Sequence, residues 1–433
     1  MADPSRPNIV LLTVDSLRAD HVSSYGYHRE TTPVLDAFAE DGLRFSHAFS
    51  ASSHTREAIP ALLAGRYPDD CVDASYRFVE TSIAEWLSDV GYTTGAFHSN
   101  PYISRAFGYD RGFDVFDDDL RFSNYKVITL AQRAFDKLRN RHYADAESIT
   151  ERAVSFVRSA TEPIFLWVHY MDPHGPYCPP KPYQDAYHGD RVSRKRASRL
   201  YKRAAVTDPE SITEAERREM VDLYDGEIRY TDDQIGVLFD ELRTRDVLND
   251  AQVLISSDHG DAFGENGYFG HPRHLDRELL QVPLFMRSLN RPSSVVEEPV
   301  STLDIVPTIL DSVESVKSGT VDELPGISLF EHIEGNVPDR TVYSHVRSED
   351  GNRYRFCGRT VEGVRFIEWT RETVDDEPHL VDEWGDGPDD LVRRLHRHSR
   401  QRLLDSLPDT DHAVDTDADA RIEQRLEALG YKE

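Results

Sequence analysis

Residues 8–16 read NIVLLTVDS. Five of the first seven are Ile, Val or Leu, with none of the polar alternation of a half-exposed strand. Such a run predicts a strand covered on both faces, as in a parallel sheet. It ends at Asp15-Ser16. Two later runs repeat the design. Residues 163–170, PIFLWVHY, lead to Asp172 and His174, and residues 253–257, VLISS, lead to Asp258 and His259. In open α/β sheets, ligands bind outside the carboxyl ends of the strands. Three polar strand ends therefore mark a candidate site.

Between these runs the period changes. Residues 32–42, TPVLDAFAEDG, carry Pro near the start and Gly at the end of a helix. Ile149, Ala153, Phe156 and Val157 form one apolar stripe. Val221, Tyr224, Ile228, Thr231, Ile235, Leu238 and Leu242 step by three and four, which predicts a long amphipathic helix. Strand, helix, strand, helix, strand is the order of an α/β fold with a large, mostly parallel sheet flanked by helices. Beyond about residue 335 the character shifts. Residues 341–345, 354–358 and 363–369 resemble short antiparallel strands, and an acidic stretch and a helical tail from Asp389 follow. The expected division is a catalytic domain over 1–335 and a small α+β subdomain with an acidic tail over 336–433. Residues 189–211 form a basic insertion with seven Arg and Lys side chains between Arg191 and Arg203. Its residues fit a solvated helix face, or a loop that attracts an anionic substrate.

The formal net charge is −28, from 78 acidic and 50 basic residues spread along the chain. Such a charge repels nucleic acid and anionic membranes, and it strains the compact state unless salt screens it. Adaptation to molar salt, as in halophilic archaea, is the expectation. The three cysteines are far apart and form no metal or disulfide pattern. The N-terminus has no leader-like pattern, and no apolar run approaches the roughly 18–20 residues of a membrane span. A cytoplasmic location is expected.

The chemistry centres on Asp258-His259, which Asp15 can join from the first strand. Carboxylate oxygen with imidazole nitrogen suits one divalent Mn²⁺ or Zn²⁺; Ca²⁺ or Mg²⁺ remain possible but prefer oxygen alone. A metal held by Asp15, Asp258 and His259 would give the hydroxyl-rich turn ASSHTREAI, residues 51–59, a purpose. A Thr55 hydroxyl bound to that metal becomes a usable nucleophile. The turn's hydroxyls also suit plain capping of the helix that begins near Glu57.

The stretches PNIVLLTVDSLRADHVSSYGY and TTPVLDAFAEDGLRFSHAFS closely resemble the opening of the sulfatase family, in the alkaline phosphatase superfamily. The resemblance continues through LLAGRYP, GYTTGAFHSN, WVHYMDPHGPY, SSDHGDAFGE and QVPLF, over roughly residues 6–330. It implies an alkaline phosphatase-like fold with a small C-terminal subdomain. Family sulfatases place a Cys or Ser, later oxidised to formylglycine, ten residues before a motif glycine. Here that count, back from Gly65, lands on Thr55, and TREAI lacks the motif proline and arginine. Formylglycine is not expected. Ser52 is the alternative nucleophile, but it stands three residues too far from LLAG, with His54 in place of the proline. An unmodified threonine resembles the transferase and phosphodiesterase branches and leans toward phosphate esters.

The resemblance further implies that His174 and His271 bind the anion or protonate the leaving group, or, with Asp172, supply a second metal set. Asn100 stands where relatives have a lysine on the ester oxygens. Arg18, His98 and His169 fall nearby by motif logic, and Arg18, His169 and Asn100 are expected on the substrate. The expected partner is an anionic small-molecule or glycan ester. Hydrolysis of sulfated sugars, or catalysis-free binding of an anionic glycan, are the rival readings.

Overall fold

Strand β1 (Asn8–Val14) is buried along its whole length, as its unbroken apolar composition requires. The computed structural model describes residues 6–119, 143–288, 291–313, 323–335, 337, 339–348, 350–371 and 377–405. After β1 come helix α1 (Pro33–Asp41), strand β2 (Leu43–Phe45), helix α2 (Thr55–Ala64), and strands β3 (Thr93–Phe97) and β4 (Val115–Asp117). Helix α3 (Ala146–Ser159), strand β5 (Ile164–Tyr170), helix α4 (Arg194–Lys202) and helix α5 (Glu214–Thr244) follow. Strands β6 (Ala251–Ser257), β7 (Leu284–Arg287) and β8 (Ser294–Val296) complete the large sheet.

That sheet has eight strands in the order β8-β2-β7-β6-β1-β5-β3-β4. β1 pairs in parallel with both β5 and β6, and only β7 runs antiparallel to its neighbours. Val14 is in register with Tyr170 on one side and Ser257 on the other. The three strands therefore end level, and Asp15 and Asp258 leave the sheet at the same edge.

Alternate residues of β1 point to opposite faces, and each face builds its own core. Val10, Leu12 and Val14 join Ile149 and Phe156 of α3 and Ile228 and Leu238 of α5. Ile9 and Leu11 join Ile59 and Leu62 of α2. Each such side chain contributes about 1.5–3 kcal/mol when fully buried, so both faces lock β1 at the centre. In α5 the stripe from Tyr224 to Leu242 is buried as its spacing predicts; Val221 is half-buried. Thr213 and Glu216 close a capping box at its start.

The basic segment is partly the helix α4. Arg196 holds Glu219 of α5 with two 2.6 Å contacts, and Arg203 pairs with Glu216. These ion pairs tie the segment to α5.

A separate antiparallel sheet follows, of strands β9 (Val342–Arg347), β10 (Arg353–Thr360), β11 (Gly363–Thr370) and β12 (His379–Asp386). Helix α6 (Asp389–Asp405) covers it, with Leu395 and Leu403 against Phe356, Ile367 and Trp369. The stretch read as merely acidic contains β12. Every residue of β12 is exposed and it pairs on one side only, so its pattern carries no apolar face to read. The acidic tail beyond residue 405 lies outside the described residues. No helix among the described residues is long and apolar enough to cross a membrane.

Candidate functional site

Asp15 and Ser16 turn the chain out of β1. Ser16 is buried with φ of 62°, a left-handed conformation that costs a non-glycine residue energy. The turn is held on three sides. The Ser16 N–H donates to Asp258 Oδ1 (3.1 Å), its hydroxyl donates to Asp15 Oδ1 (2.9 Å), and its carbonyl accepts from the Tyr224 hydroxyl (2.7 Å). The strained residue thereby couples the two carboxylates.

At the end of β6, the Asp258 Oδ1 atom also accepts the His259 N–H (2.9 Å). His259 Nδ1 donates to the Gly260 carbonyl (2.9 Å), which leaves the lone pair of the neutral ring on Nε2. Gly260 is required by close approach, because a Cβ there would lie 2.0 Å from the Glu278 carbonyl oxygen. One ligand atom each from Asp15, Asp258 and His259 lie within 4.8 Å of one another, and all three residues are buried. Two carboxylates and an imidazole with a directed lone pair form a donor set that fits a divalent cation.

Thr55 begins α2, and its side chain reaches this cluster. Its Oγ1 lies 2.8 Å from Asp258 Oδ2 and 3.0 Å from His259 Nε2. A hydroxyl has one proton for two lone-pair atoms. With the His259 ring neutral, one of the two short contacts brings lone pairs together, as around a shared cation. His54 precedes Thr55 as the helix N-cap, its Nδ1 accepting from the Arg56 N–H. Ser52 is buried elsewhere: its hydroxyl donates to Glu57 Oε2 (2.7 Å), and Glu57 is bound in turn by Arg273.

Behind Asp15 stand two of the residues expected on the substrate. Asn100 Nδ2 donates to Asp15 Oδ2 (3.0 Å), while its Oδ1 caps the Tyr102 N–H. His169 is wholly buried, with Nδ1 on Thr13 Oγ1 (2.9 Å) and Nε2 at 3.4 Å from Asp15 Oδ2. Thr13 Oγ1 accepts from the Trp167 indole, so its own proton is available to His169 Nδ1. Burial alone would raise the Asp15 carboxyl, but His174, His169 and His259 outweigh it and hold the group far below the usual carboxylate range. Asn100 and His169, both expected on the substrate, thus contact Asp15. Arg18, also expected on the substrate, is surrounded by acceptors. Its guanidinium is engaged by both Asp20 oxygens (2.8 Å each), Glu265 (2.5 Å) and the Asp261 carbonyl (3.0 Å). Its neighbours Asp20 and Glu265 were too far apart in sequence to be read as a clamp. His98 is buried among Phe116 and Trp167.

Four histidine rings close the other side. The His271 ring centroid is 4.6 Å from His259, 5.0 Å from His174 and 5.7 Å from His54. His174 Nδ1 donates to the Gly175 carbonyl (2.7 Å), so Nε2 is the exchanging atom. Burial lowers the His174 pKa despite the attraction of Asp15. His271 Nδ1 lies 3.2 Å from Asp261 Oδ1. Burial works against protonation of His271, and Asp261 outweighs it, so its pKa is raised. Asp261 was missed in sequence, although it stands three residues past Asp258 in the same loop; its other oxygen accepts from the Tyr177 hydroxyl. Asp172, weighed for a second metal set, accepts the Ala146 N–H at the start of α3 through Oδ2 (2.8 Å).

A family model described as Sulfatase matches residues 7–315. An arylsulfatase of Clostridium perfringens is 25% identical, over 81% of this chain and 83% of its own length. Among solved structures, BT4656 in complex with its substrate D-glucosamine-2-N,6-O-disulfate superposes with a TM-score of 0.70 at 16% identity, covering 94% of this chain and 100% of that one. A phosphonate monoester hydrolase of Silicibacter pomeroyi superposes with a TM-score of 0.66 at 18% identity, covering 94% and 96%. At these identities the structural likenesses speak for the fold.

Proposed function

The chain belongs to the sulfatase family, and from that premise we propose that it is a metal-dependent ester hydrolase or transferase with Thr55 as nucleophile, acting on phosphate esters, phosphodiesters above all. The observation that carries this reading is the double contact of Thr55 Oγ1 with Asp258 Oδ2 and His259 Nε2. Asp15, Asp258 and His259 would hold one divalent metal, Mn²⁺ or Zn²⁺ ahead of Ca²⁺ or Mg²⁺, with Thr55 beside them. When bound, the metal supplies positive charge that eases ionisation of the hydroxyl and offsets charge on the transferring group.

Each protein group then has a task. Thr55 releases its proton toward Asp258 Oδ2, its oxygen bonds to phosphorus, and the bond to the leaving oxygen breaks. His271, whose pKa is raised by Asp261, protonates that leaving oxygen; His174, whose pKa burial lowers, serves instead only after taking up a proton at Nε2. Asn100 and His169 keep Asp15 ionised and aimed. Water or a second acceptor then displaces the phosphoryl group from Thr55. A threonine ester cannot expel its acid by collapsing to an aldehyde, as a formylglycine hydrate can, and this favours phosphate over sulfate.

The arylsulfatase relative favours a second reading, sulfuric ester hydrolysis, for which the disulfated glucosamine of BT4656 suggests sulfated sugars. It requires either sulfate transfer through Thr55 or a modified Ser52 freed from Glu57. Parallel turnover of bis-p-nitrophenyl phosphate and p-nitrophenyl sulfate, in molar KCl with Mn²⁺, separates the two. Faster phosphodiester cleavage is expected. Faster sulfate release would overturn the preference, and failure of both substrates would move the protein toward anion or glycan binding. The distributed negative charge supports a cytoplasmic protein of a high-salt cell that does not bind nucleic acid.

A further inference from the structure

Immediately after the nucleophile stands a cation that the chemistry above does not use. The half-buried Arg56 carries its guanidinium carbon 3.9 Å from the centroid of the Tyr76 ring and 4.8 Å from that of Tyr102. Among the described residues no carboxylate pairs with it. The other arginines near the site are all engaged: Arg18 by Asp20 and Glu265, Arg273 by Glu57. In a chain with 78 acidic residues, a guanidinium with no carboxylate partner among the described residues stands out.

The platform beneath it is built at a cost. Tyr76 has φ of 59°, left-handed for a bulky residue. An Asx turn holds it there, with Asp73 Oδ1 accepting from the Ser75 and Arg77 N–H groups (2.8 and 2.9 Å) and the Asp73 carbonyl accepting from Tyr76. Arg273 Nη2 donates to the Tyr76 hydroxyl at 3.3 Å. Tyr102 is fixed through its N–H on Asn100. Two separate loops thus converge on one guanidinium.

Its position relative to the reacting group follows from the rings. The Tyr102 ring is 6.2 Å from His54, which is 5.7 Å from His271, itself 4.6 Å from His259. Thr55 and Arg56 are consecutive residues of α2, so their side chains leave the helix about 100° apart. Thr55 faces Asp258 and His259 while Arg56 faces Tyr76 and Tyr102, which gives Arg56 an anion other than the one transferred to Thr55. We propose that Arg56, with Tyr76 and Tyr102, binds a second anionic group on the leaving portion of the substrate, a carboxylate or a further phosphate or sulfate. The tyrosine faces accept the apolar body that joins the two anions, and the planar guanidinium pairs with the oxyanion. This assignment rests on the ester-cleaving reading of Thr55 and adds the substrate class.

The test uses two probes with no ester to cleave, phenylphosphonate and 4-carboxyphenylphosphonate, titrated by calorimetry into the Mn²⁺-supplemented protein in molar KCl. The carboxylated probe is expected to bind about 10-fold tighter or more, the scale of a charge-assisted pair. Arg56→Met keeps the stem over the rings and should bring the ratio of affinities close to one. Arg56→Lys retains the charge without the fork and should keep part of it, which decides the matter if Arg56→Met melts early by circular dichroism. A ratio near one in the wild type, absence of binding of both probes, or a full ratio in Arg56→Met overturns the proposal. Lost ester turnover with the ratio intact would instead remove the catalytic reading and leave the anion receptor standing.

Discussion

Thr55 Oγ1 and Asp258 Oδ2 lie 2.8 Å apart although 203 residues separate them. The contact joins the first turn of α2 to the end of β6, and it sets the proposed nucleophile against the proposed metal ligands. Thr55→Ala should lower phosphodiester turnover by about 10³-fold or more, as loss of a covalent nucleophile does, with an unchanged melting profile. Thr55→Ser should retain measurable turnover. Activity of Thr55→Ala near wild type would end the assignment.

Ser52 donates to Glu57, away from Asp258 and His259. Ser52→Ala should therefore stay within several-fold of wild-type turnover. Intact-mass and peptide analysis should find serine at that position. An aldehyde there would restore the formylglycine route and the sulfate reading with it.

Metal removal bears on the Asp15 cluster directly. Dialysis against a chelator should abolish turnover, and Mn²⁺ or Zn²⁺ should restore it. Asn100→Ala removes the donor behind Asp15 Oδ2 and should weaken metal affinity by about 10–100-fold, the usual effect of losing a group that supports a ligand. The measurement is metal content against free metal concentration, and an unchanged affinity would return Asn100 to the substrate side.

His398 is expected to make the C-terminal unit acid-sensitive. Its ring stacks on Tyr343 at 3.9 Å and 6°, and burial, together with His345 and Arg402, pushes its pKa from 6.5 down to about 3. The neutral form is the one the fold stabilises. Its contribution is complete above about pH 6.5 and is lost as pH falls toward 3. His398→Phe keeps the stack without the proton site, so the fall in melting temperature between pH 7 and pH 4 should shrink by a few degrees. An equal fall in both proteins would show that the acid sensitivity lies elsewhere.

The net charge of −28 predicts a salt requirement. Raising KCl from about 0.1 M to about 1 M shortens the screening length from about 10 Å to about 3 Å. The melting temperature should rise by several degrees over that range. A flat profile would remove the high-salt reading.

Periodicity made much of this fold legible. The three apolar runs are β1, β5 and β6, and the stripe from Tyr224 to Leu242 is the buried face of α5. That Asp15, Asp258, His259 and Thr55 meet was legible because they end strands or open a helix. The exposed β12 was not, since a strand with no buried face leaves no alternation. Nor were the roles of Arg18, Asn100 and His169, whose residue types alone suit an anion.

By itself the sequence determined the local order of strand and helix and the polar strand ends. These depend on composition and spacing along a few turns of chain. Only the tertiary structure decided that Arg18 is spent on Asp20 and Glu265, that Asn100 serves Asp15, and that Arg56 lacks a carboxylate partner among the described residues. A side chain's role depends on which partner reaches it first, and partners such as Arg18 and Glu265 meet only once strand register has brought distant loops to one edge of the sheet.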